Sequence, residues 1–425
     1  MLIAEHSQPA GGLKVLHVTN WPGPPFDGGR INRYHVLKRL SPRHRFRFVI
    51  LRETQETAAM NSQSLAELGI GNEGVCVIER PRMSAAARLR EFVSSRRPPG
   101  VAFLERCAGS RLRAAVEAAT AQWEPDALMV WSPNWAGLLA PTARHLQRVL
   151  FACDCLSMLH RNIAASSSSP LRSAYHREVA RRYARYEQAF YPQYGDVVFV
   201  GSRDVTAASL PPQLPVHVIP NGVDSDQLRP LAGARPQPPP RVVFHGHLGY
   251  VANETAVRFL AEVVGPQLAT RLGQDGFEIR ILGGAAGRSL QQAVSGKPWL
   301  TLAGYVPDLA AELSQATVYA APLAMGGGIK NKVLEAMACG LPVVGTREAF
   351  EALPVRPGID VVESPLEVFA GQVLQLLDAP NRRAELGRAA RQCVVRHSNW
   401  DRVAESFEQL FQPRGTPARA EVKAA

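Results

Sequence analysis

One stretch of this sequence gathers the residue types that hold a doubly charged anion. Within residues 317–345 a short apolar run, Thr317 to Ala321, leads through Gly326, Gly327 and Gly328 to Lys330 and Lys332. Glu335 follows inside an apolar segment, and Gly340 precedes a second apolar run from Pro342 to Gly345. The order reads strand, glycine loop, helix, strand. Three glycines let a backbone approach a ligand closely, and the helix expected over Ile329 to Cys339 offers unpaired N–H groups and the positive end of its dipole. That dipole disfavours cations in the first turn, so Lys330 and Lys332 make sense there if a pyrophosphate occupies the helix end. Glu335 lies among Val333, Leu334, Ala336, Met337 and Ala338. Burying an unpaired carboxylate costs on the order of several kcal/mol or protonates it, and the vicinal hydroxyls of a ribose would satisfy its two oxygens. A blander assignment stays open, with a plain glycine turn, lysines reaching to water and Glu335 paired with a nearby arginine.

Other residues with chemistry are less clustered. Asp154 follows an apolar run ending at Cys153, where it could orient an acceptor hydroxyl, accept its proton, or simply cap the next helix. Cys153 and Cys155 lack further ligands at metal-binding spacing, and His245 and His247 have no carboxylate beside them at such spacing. His160 lies beyond the same strand, where it could enter the cleft, and is read first as a surface residue.

The elements that must position these residues form two series. In the first half, strands are expected at Leu13 to Thr19, Phe46 to Leu51, Val75 to Ile78, Ala127 to Trp131, Val149 to Cys153, Val197 to Val200 and Val216 to Ile219, with helical patterns between most of them, including Arg30 to Leu40 and Arg172 to Tyr191. In the second half they are expected at Val242 to His245, Glu278 to Leu282, Leu300 to Ala303, Thr317 to Ala321 and Pro342 to Gly345. Helices over Ala252 to Leu272, Asp308 to Ser314 and Ile329 to Cys339 lie between them. Such alternation implies two parallel, doubly wound α/β sheets covered by helices on both faces. Ligands are then expected at the carboxyl ends of the strands, in a cleft that the two domains face. The expected organisation is a first domain over 1–224, a proline-rich linker over 225–240, a second domain over 241–396, a helix over 397–412 that packs back towards the first domain, and a disordered tail over 413–425.

At 425 residues, 46% hydrophobic and 20% charged, the chain is long enough for two globular cores, and no apolar run has the length of a membrane span. The first twelve residues lack the pattern of a secretory signal, so the cytoplasm is the expected location. The six cysteines show no CxxC pairing and are read as reduced thiols. A net charge of +11 favours an acidic partner, while the arginines dense over 82–113 and 172–185 are read first as solvated helix faces and second as a binding surface. No RNA-binding aromatic motif or zinc-finger spacing accompanies them, so nucleic acid is not expected, while contact with an anionic membrane at its inner face stays open. No GxGxxG follows the first strand of either series, which argues against a dinucleotide-dependent oxidoreductase.

The segment Lys332-Val-Leu-Glu-Ala-Met-Ala-Cys-Gly-Leu-Pro-Val-Val344 resembles the donor-site signature of the retaining glycosyltransferases of family four, also called group 1. Val218-Ile-Pro-Asn-Gly-Val-Asp224, Phe244-His-Gly-His-Leu248 and Leu302-Ala-Gly-Tyr-Val306 extend the likeness. The resemblance implies a GT-B fold and retaining transfer from a nucleotide diphosphate sugar to a hydroxyl acceptor, saccharide or lipid-linked, without a bound metal or other cofactor. The second domain would hold the donor, with Glu335 on the ribose, Lys332 and Lys330 on the diphosphate as catalytic cations, and Gly246, His247, Gly327, Gly328 and Ile329 near the phosphates. Tyr305 and Val306 would meet the nucleobase. In the first domain Gly28 and Gly29 are similar to the family's glycine loop beside acceptor and phosphates, and Asp154 would position the acceptor. Two departures stand out: Gly327 replaces a glutamate eight residues before Glu335, and His247-Leu-Gly-Tyr-Val-Ala-Asn253 replaces an Arg-Lys pair. Alternatives on the same architecture are a nucleotide-sugar epimerase and a non-catalytic nucleotide-sugar-binding protein.

Overall fold

Short runs of β-branched and aromatic residues with every side chain buried need cover on both faces, and the intervening amphipathic helices supply it. The computed structural model describes residues 12–20, 28–53, 65, 68, 74–167, 169–231, 233, 238–324 and 330–412. It divides into two units, Met1–Ile219 with Val403–Ala425, and Pro220–Arg402.

In the first unit the order is β1 (Lys14–Thr19), α1 (Gly28–Leu40), β2 (Arg45–Glu53), β3 (Val75–Arg80), α2 (Ala85–Ser94), α3 (Pro99–Trp123), β4 (Ala127–Val130), β5 (Gln147–Cys153), α4 (Leu156–Ser166), α5 (Pro170–Phe190), β6 (Asp196–Phe199) and β7 (Val216–Val218), with shorter helical turns between. Among the described residues these strands form one parallel sheet in the order β3-β2-β1-β4-β5-β6-β7. The winding reverses between β1 and β4, so the carboxyl ends of those two strands open a crevice.

One face of this sheet is aromatic. Fully buried His17 accepts a hydrogen bond at Nδ1 from the Trp131 indole N–H at 3.0 Å, and its ring lies 4.4 Å from that of Phe46. Burial, reinforced by His44, pushes the His17 pKa down to about 3, so the imidazole is neutral and keeps the lone pair that the indole needs. The last helix, Trp400–Phe411, covers this face with Phe407, 5.4 Å from Trp131 and 5.7 Å from Phe151. Glu408 pegs the same helix through His44 at 2.8 Å and Arg43 at 2.7 Å.

The second unit runs β8 (Arg241–His245), α6 (Val251–Phe259), α7 (Gly265–Leu272), β9 (Glu278–Leu282), β10 (Leu300–Gly304), β11 (Val318–Ala321), α8 (Asn331–Ala338), β12 (Val343–Gly345), β13 (Val362–Glu363) and α9 (Pro380–His397), with further short helices. Among the described residues its strands are parallel in the order β10-β9-β8-β11-β12-β13. The winding reverses between β8 and β11. Two doubly wound α/β sheets, as the alternation implies, are therefore present.

Three details depart from expectation. The helix expected over 252–272 is interrupted by a π turn at Leu260–Val264, where Gly265 N–H bonds Leu260 O and Pro266 has no N–H to continue an α-helical ladder. β13, two residues long, carries no pattern that a sequence reading could detect. The unit boundary falls at 219/220 instead of 224/225, and residues expected to begin a free linker are packed. A Cβ on Gly222 would lie 2.8 Å from the Trp400 ring, Val223 N–H donates to Ser398 O at 2.7 Å, and Arg391 donates to Leu228 O and Ser225 O, each at 3.3 Å. Residues 232 and 234–237 of the proline-rich stretch and the tail 413–425 lie outside the described residues.

Candidate functional site

At the winding reversal of the second sheet, β8 ends at His245 beside β11, which ends at Ala321; α8 begins ten residues later at Asn331. Gly326, Gly327, Gly328 and Ile329 lie outside the described residues. Lys330 is the N-cap residue of α8 and is buried, at 7% exposure. Lys332 points its ammonium at the Asn253 side-chain carbonyl, to which it donates, and lies 5.1 Å from the centre of the Phe244 ring. Asn253 in turn donates to His247 O at 2.8 Å, so the loop that follows β8 and the first turn of α8 are tied through one amide.

Gly246 is the point of closest approach. Its φ of 152°, a region L side chains rarely adopt, is matched by space: an added Cβ would lie 2.8 Å from Asn253 Nδ2 and 3.3 Å from Lys332 Nζ. Burial, then the charge of Lys330, push the Lys332 pKa down to about 8 against the opposing pull of Glu335. Among the described residues Lys332 makes no ion pair, and its hydrogen-bond partner is a neutral amide.

Glu335 lies one helical turn beyond Lys332, on the same side of α8. The blander assignment gave it a nearby arginine, and the partner found is a histidine: His245 Nε2 is 2.7 Å from its Oε2. No arginine takes that place among the described residues, because the end of β8 presents an imidazole there. Tyr305 is exposed just beyond β10, and Val306 packs partly against the core. Gly304, with φ 71°, turns the chain between them and the sheet while its carbonyl accepts from Gly283 N–H at 2.6 Å. His247 is exposed. The Asn-Gly-Val-Asp motif joins this end of the unit, since Asn221 Nδ2 donates to Asn331 Oδ1 at 3.2 Å.

In the first unit Gly28 and Gly29 open α1, and the loop of residues 21–27 before them lies outside the described residues. Asp154 is partly buried after β5, next to Cys153, whose φ is 63° and whose thiol lies 3.5 Å from Asp154 Oδ2. Burial first, then Asp154, raise the Cys153 thiol well above its usual range. Asp154 does not cap α4: the N-cap residue is Cys155, whose own N–H donates to Asp204 Oδ1 at 2.7 Å. His160 stacks on Tyr183 and meets His176 at 2.8 Å. All six cysteines are free thiols, and among the described residues no three His, Cys, Asp or Glu side chains gather as a metal site requires.

Two residues escaped the sequence reading. Asn253 was hidden in the segment that replaces an Arg-Lys pair. Arg33 is buried on the inner face of α1 with Nη1 3.5 Å from Trp131 O, at the crevice between β1 and β4. Its spacing with Val36, Leu37 and Leu40 was the available signal.

Residues 239–379, which hold all six strands of the second sheet, match the family profile described as Glycosyl transferases group 1. The second unit is a group 1 glycosyltransferase domain. A curated relative, the GDP-mannose-dependent monoacylated alpha-(1-6)-phosphatidylinositol monomannoside mannosyltransferase of Corynebacterium glutamicum, is 31% identical over 113 residues, 25% of this chain and 30% of that protein's length. Solved structures resemble the group 1 glycosyltransferase domain together with the first unit. A glycosyltransferase of Rickettsia africae has a TM-score of 0.65 at 11% identity, covering 94% of this chain and 98% of its own. The Anabaena protein HepE, solved in complex with UDP, has a TM-score of 0.65 at 15% identity, covering 93% and 99%. Sucrose-phosphate synthase of Thermosynechococcus elongatus reaches 0.66 at 16% identity, covering 94% and 98%. The shared fold is GT-B. No helix among the described residues is long and apolar enough to cross a membrane.

Proposed function

We propose that the chain is a retaining glycosyltransferase that takes a sugar from a nucleotide diphosphate sugar held by the second unit and passes it to a hydroxyl acceptor, in the assembly of a cell-surface polysaccharide or glycolipid. The observation that carries this reading is the setting of Lys332. Burial, the positive end of α8 and the neighbouring Lys330 all oppose its charge, and the hydrogen bond it makes is to a neutral amide. A diphosphate at that position relieves all three. The HepE complex with UDP and the GDP-mannose dependence of the Corynebacterium relative support a nucleotide diphosphate as the donor's leaving group.

In the proposed transfer the bond between the anomeric carbon and the diphosphate oxygen breaks while the acceptor oxygen bonds to the same face of that carbon. The acceptor's proton passes to the departing phosphate oxygen. Negative charge grows on the leaving group, and Lys332, Lys330 and the amino end of α8 are fixed charges and dipoles aimed at it. Glu335 meets the ribose, Tyr305 and Val306 the base, and Asp154 orients the acceptor hydroxyl.

Peripheral contact with an anionic membrane belongs to the same reading. On α2, Leu89 and Val93 are 63% and 78% exposed one turn apart, and Arg82, Arg88, Arg90 and Arg96 lie on that helix or its flanks. Apolar residues beside arginines suit a lipid interface.

The test is calorimetric titration of UDP- and GDP-sugars into the wild-type chain and Lys332→Ala, with transfer measured in parallel. Transfer is expected to drop at least about a hundredfold in the variant with its melting temperature retained; near-normal transfer would sink the assignment.

A further inference from the structure

We infer that His245 is a positioning residue that holds one oxygen of the Glu335 carboxylate, leaving the other to read the ribose of the donor. This rests on the donor reading above. His245 is the last residue of β8, 7% exposed, and its ring meets that of Tyr319 edge-on at 5.4 Å and 68°. Tyr319 is itself fully buried on β11, so the imidazole is confined by the adjacent strand.

Its polar contacts are lopsided. Nε2 lies 2.7 Å from Glu335 Oε2, and the tautomer with its proton on Nε2 donates to that carboxylate oxygen. Nδ1 is buried and has no hydrogen-bond partner among the described residues. An orphaned buried nitrogen is a cost that a phenylalanine or leucine of similar bulk would avoid. The imidazole is therefore explained by Glu335, its one polar partner among the described residues.

Holding that carboxylate has two consequences. Oε2 is committed to the protein, while Oε1, on a side chain 21% exposed, makes no hydrogen bond among the described residues and is the oxygen left for a ligand. Glu335 also attracts Lys332 electrostatically, although the two form no ion pair among the described residues. Without His245 the carboxylate can turn towards the ammonium, which removes the ribose contact and weakens the grip on phosphate together. Glutamate and lysine keep separate tasks because the imidazole restrains the glutamate.

The experiment titrates UDP, 2′-deoxy-UDP, GDP and 2′-deoxy-GDP into the full chain and into His245→Ala, His245→Gln and Glu335→Gln, with melting temperatures recorded. Wild type is expected to prefer the ribonucleotide it binds over its deoxy counterpart by about tenfold. His245→Ala should bring that ratio close to one, while His245→Gln, whose amide can still donate to Glu335, keeps part of it. A His245→Ala chain that discriminates like wild type overturns the inference and leaves the donor reading standing. If wild type binds neither diphosphate, or Glu335→Gln keeps the full preference, the donor reading fails and this inference with it. Should His245→Ala not fold, His245→Phe fills the same space without a donor and decides the question by the same ratio.

Discussion

The ammonium of Lys332 on α8 donates to the side-chain carbonyl of Asn253 on α6, and the same amide donates to the main chain at His247. A cation is thereby held beside the turn at Gly246, in a place that disfavours its charge.

The first prediction is a pH dependence. The Lys332 pKa is about 8 in the fold against 10.5 in the free side chain. Between those values the unfolded chain binds more protons than the folded one, so the stability of the ligand-free protein should rise with pH across that window. Affinity for a nucleotide diphosphate should move the other way, weakening by up to about tenfold per unit as pH climbs past 8. Melting curves and calorimetry from pH 7 to 10 read both slopes, and Lys332→Met should flatten both.

A side chain at position 246 should break the tie. Gly246→Ala places a methyl 2.8 Å from Asn253 Nδ2 on a backbone of φ 152°. A loss of about 1–3 kcal/mol in denaturant unfolding is expected, together with weaker nucleotide binding. Gly233, whose added Cβ meets nothing within 4 Å, should give a smaller loss when changed to alanine.

The aromatic cover of the first sheet predicts a larger effect. Phe407 is fully buried against Trp131 and Phe151. Phe407→Ala should cost about 3–5 kcal/mol, read as an early unfolding transition of the first unit. Coincident melting of mutant and wild type would show that the packing contributes little.

Asp154→Asn separates acceptor from donor. Transfer should fall by about ten- to a hundredfold with donor KM unchanged, because the donor contacts proposed for Lys332 and Glu335 lie in the second unit. An equal loss in donor affinity would count against the assignment.

Vesicle flotation tests the surface of α2. Leu89→Asp combined with Val93→Asp should abolish binding to vesicles rich in anionic phospholipid while leaving soluble-acceptor transfer and melting temperature unchanged, since both side chains are already in solvent. Unaltered flotation would move the membrane contact elsewhere.

How much of this was legible beforehand follows from the range of each interaction. Strands such as Val242–His245 and Val318–Ala321, and the helix that carries Lys332 and Glu335, announce themselves through local apolar runs and breakers, so every strand but β13 could be read from residue order. The partner of Glu335 could not, because His245 lies 90 residues earlier and meets it only where the winding reverses. Asn253 and Arg33 were missed for the same reason. Pro266 was the one sign of the π turn at 260–264, and the apolar pattern that runs unbroken on either side of it concealed the interruption. The early start of the second unit depends on Trp400, far along the chain, accepting Gly222 against its ring.

Val403 to Phe411 fold with the first unit, and that order bears on synthesis. A ribosome makes Trp131 and Phe151 long before Phe407, with the whole second unit translated in between. The opening half of the protein thus waits, the part of its sheet around Trp131 and Phe151 uncovered, until translation has passed Phe411, and a chaperone that shields that part would act during the interval.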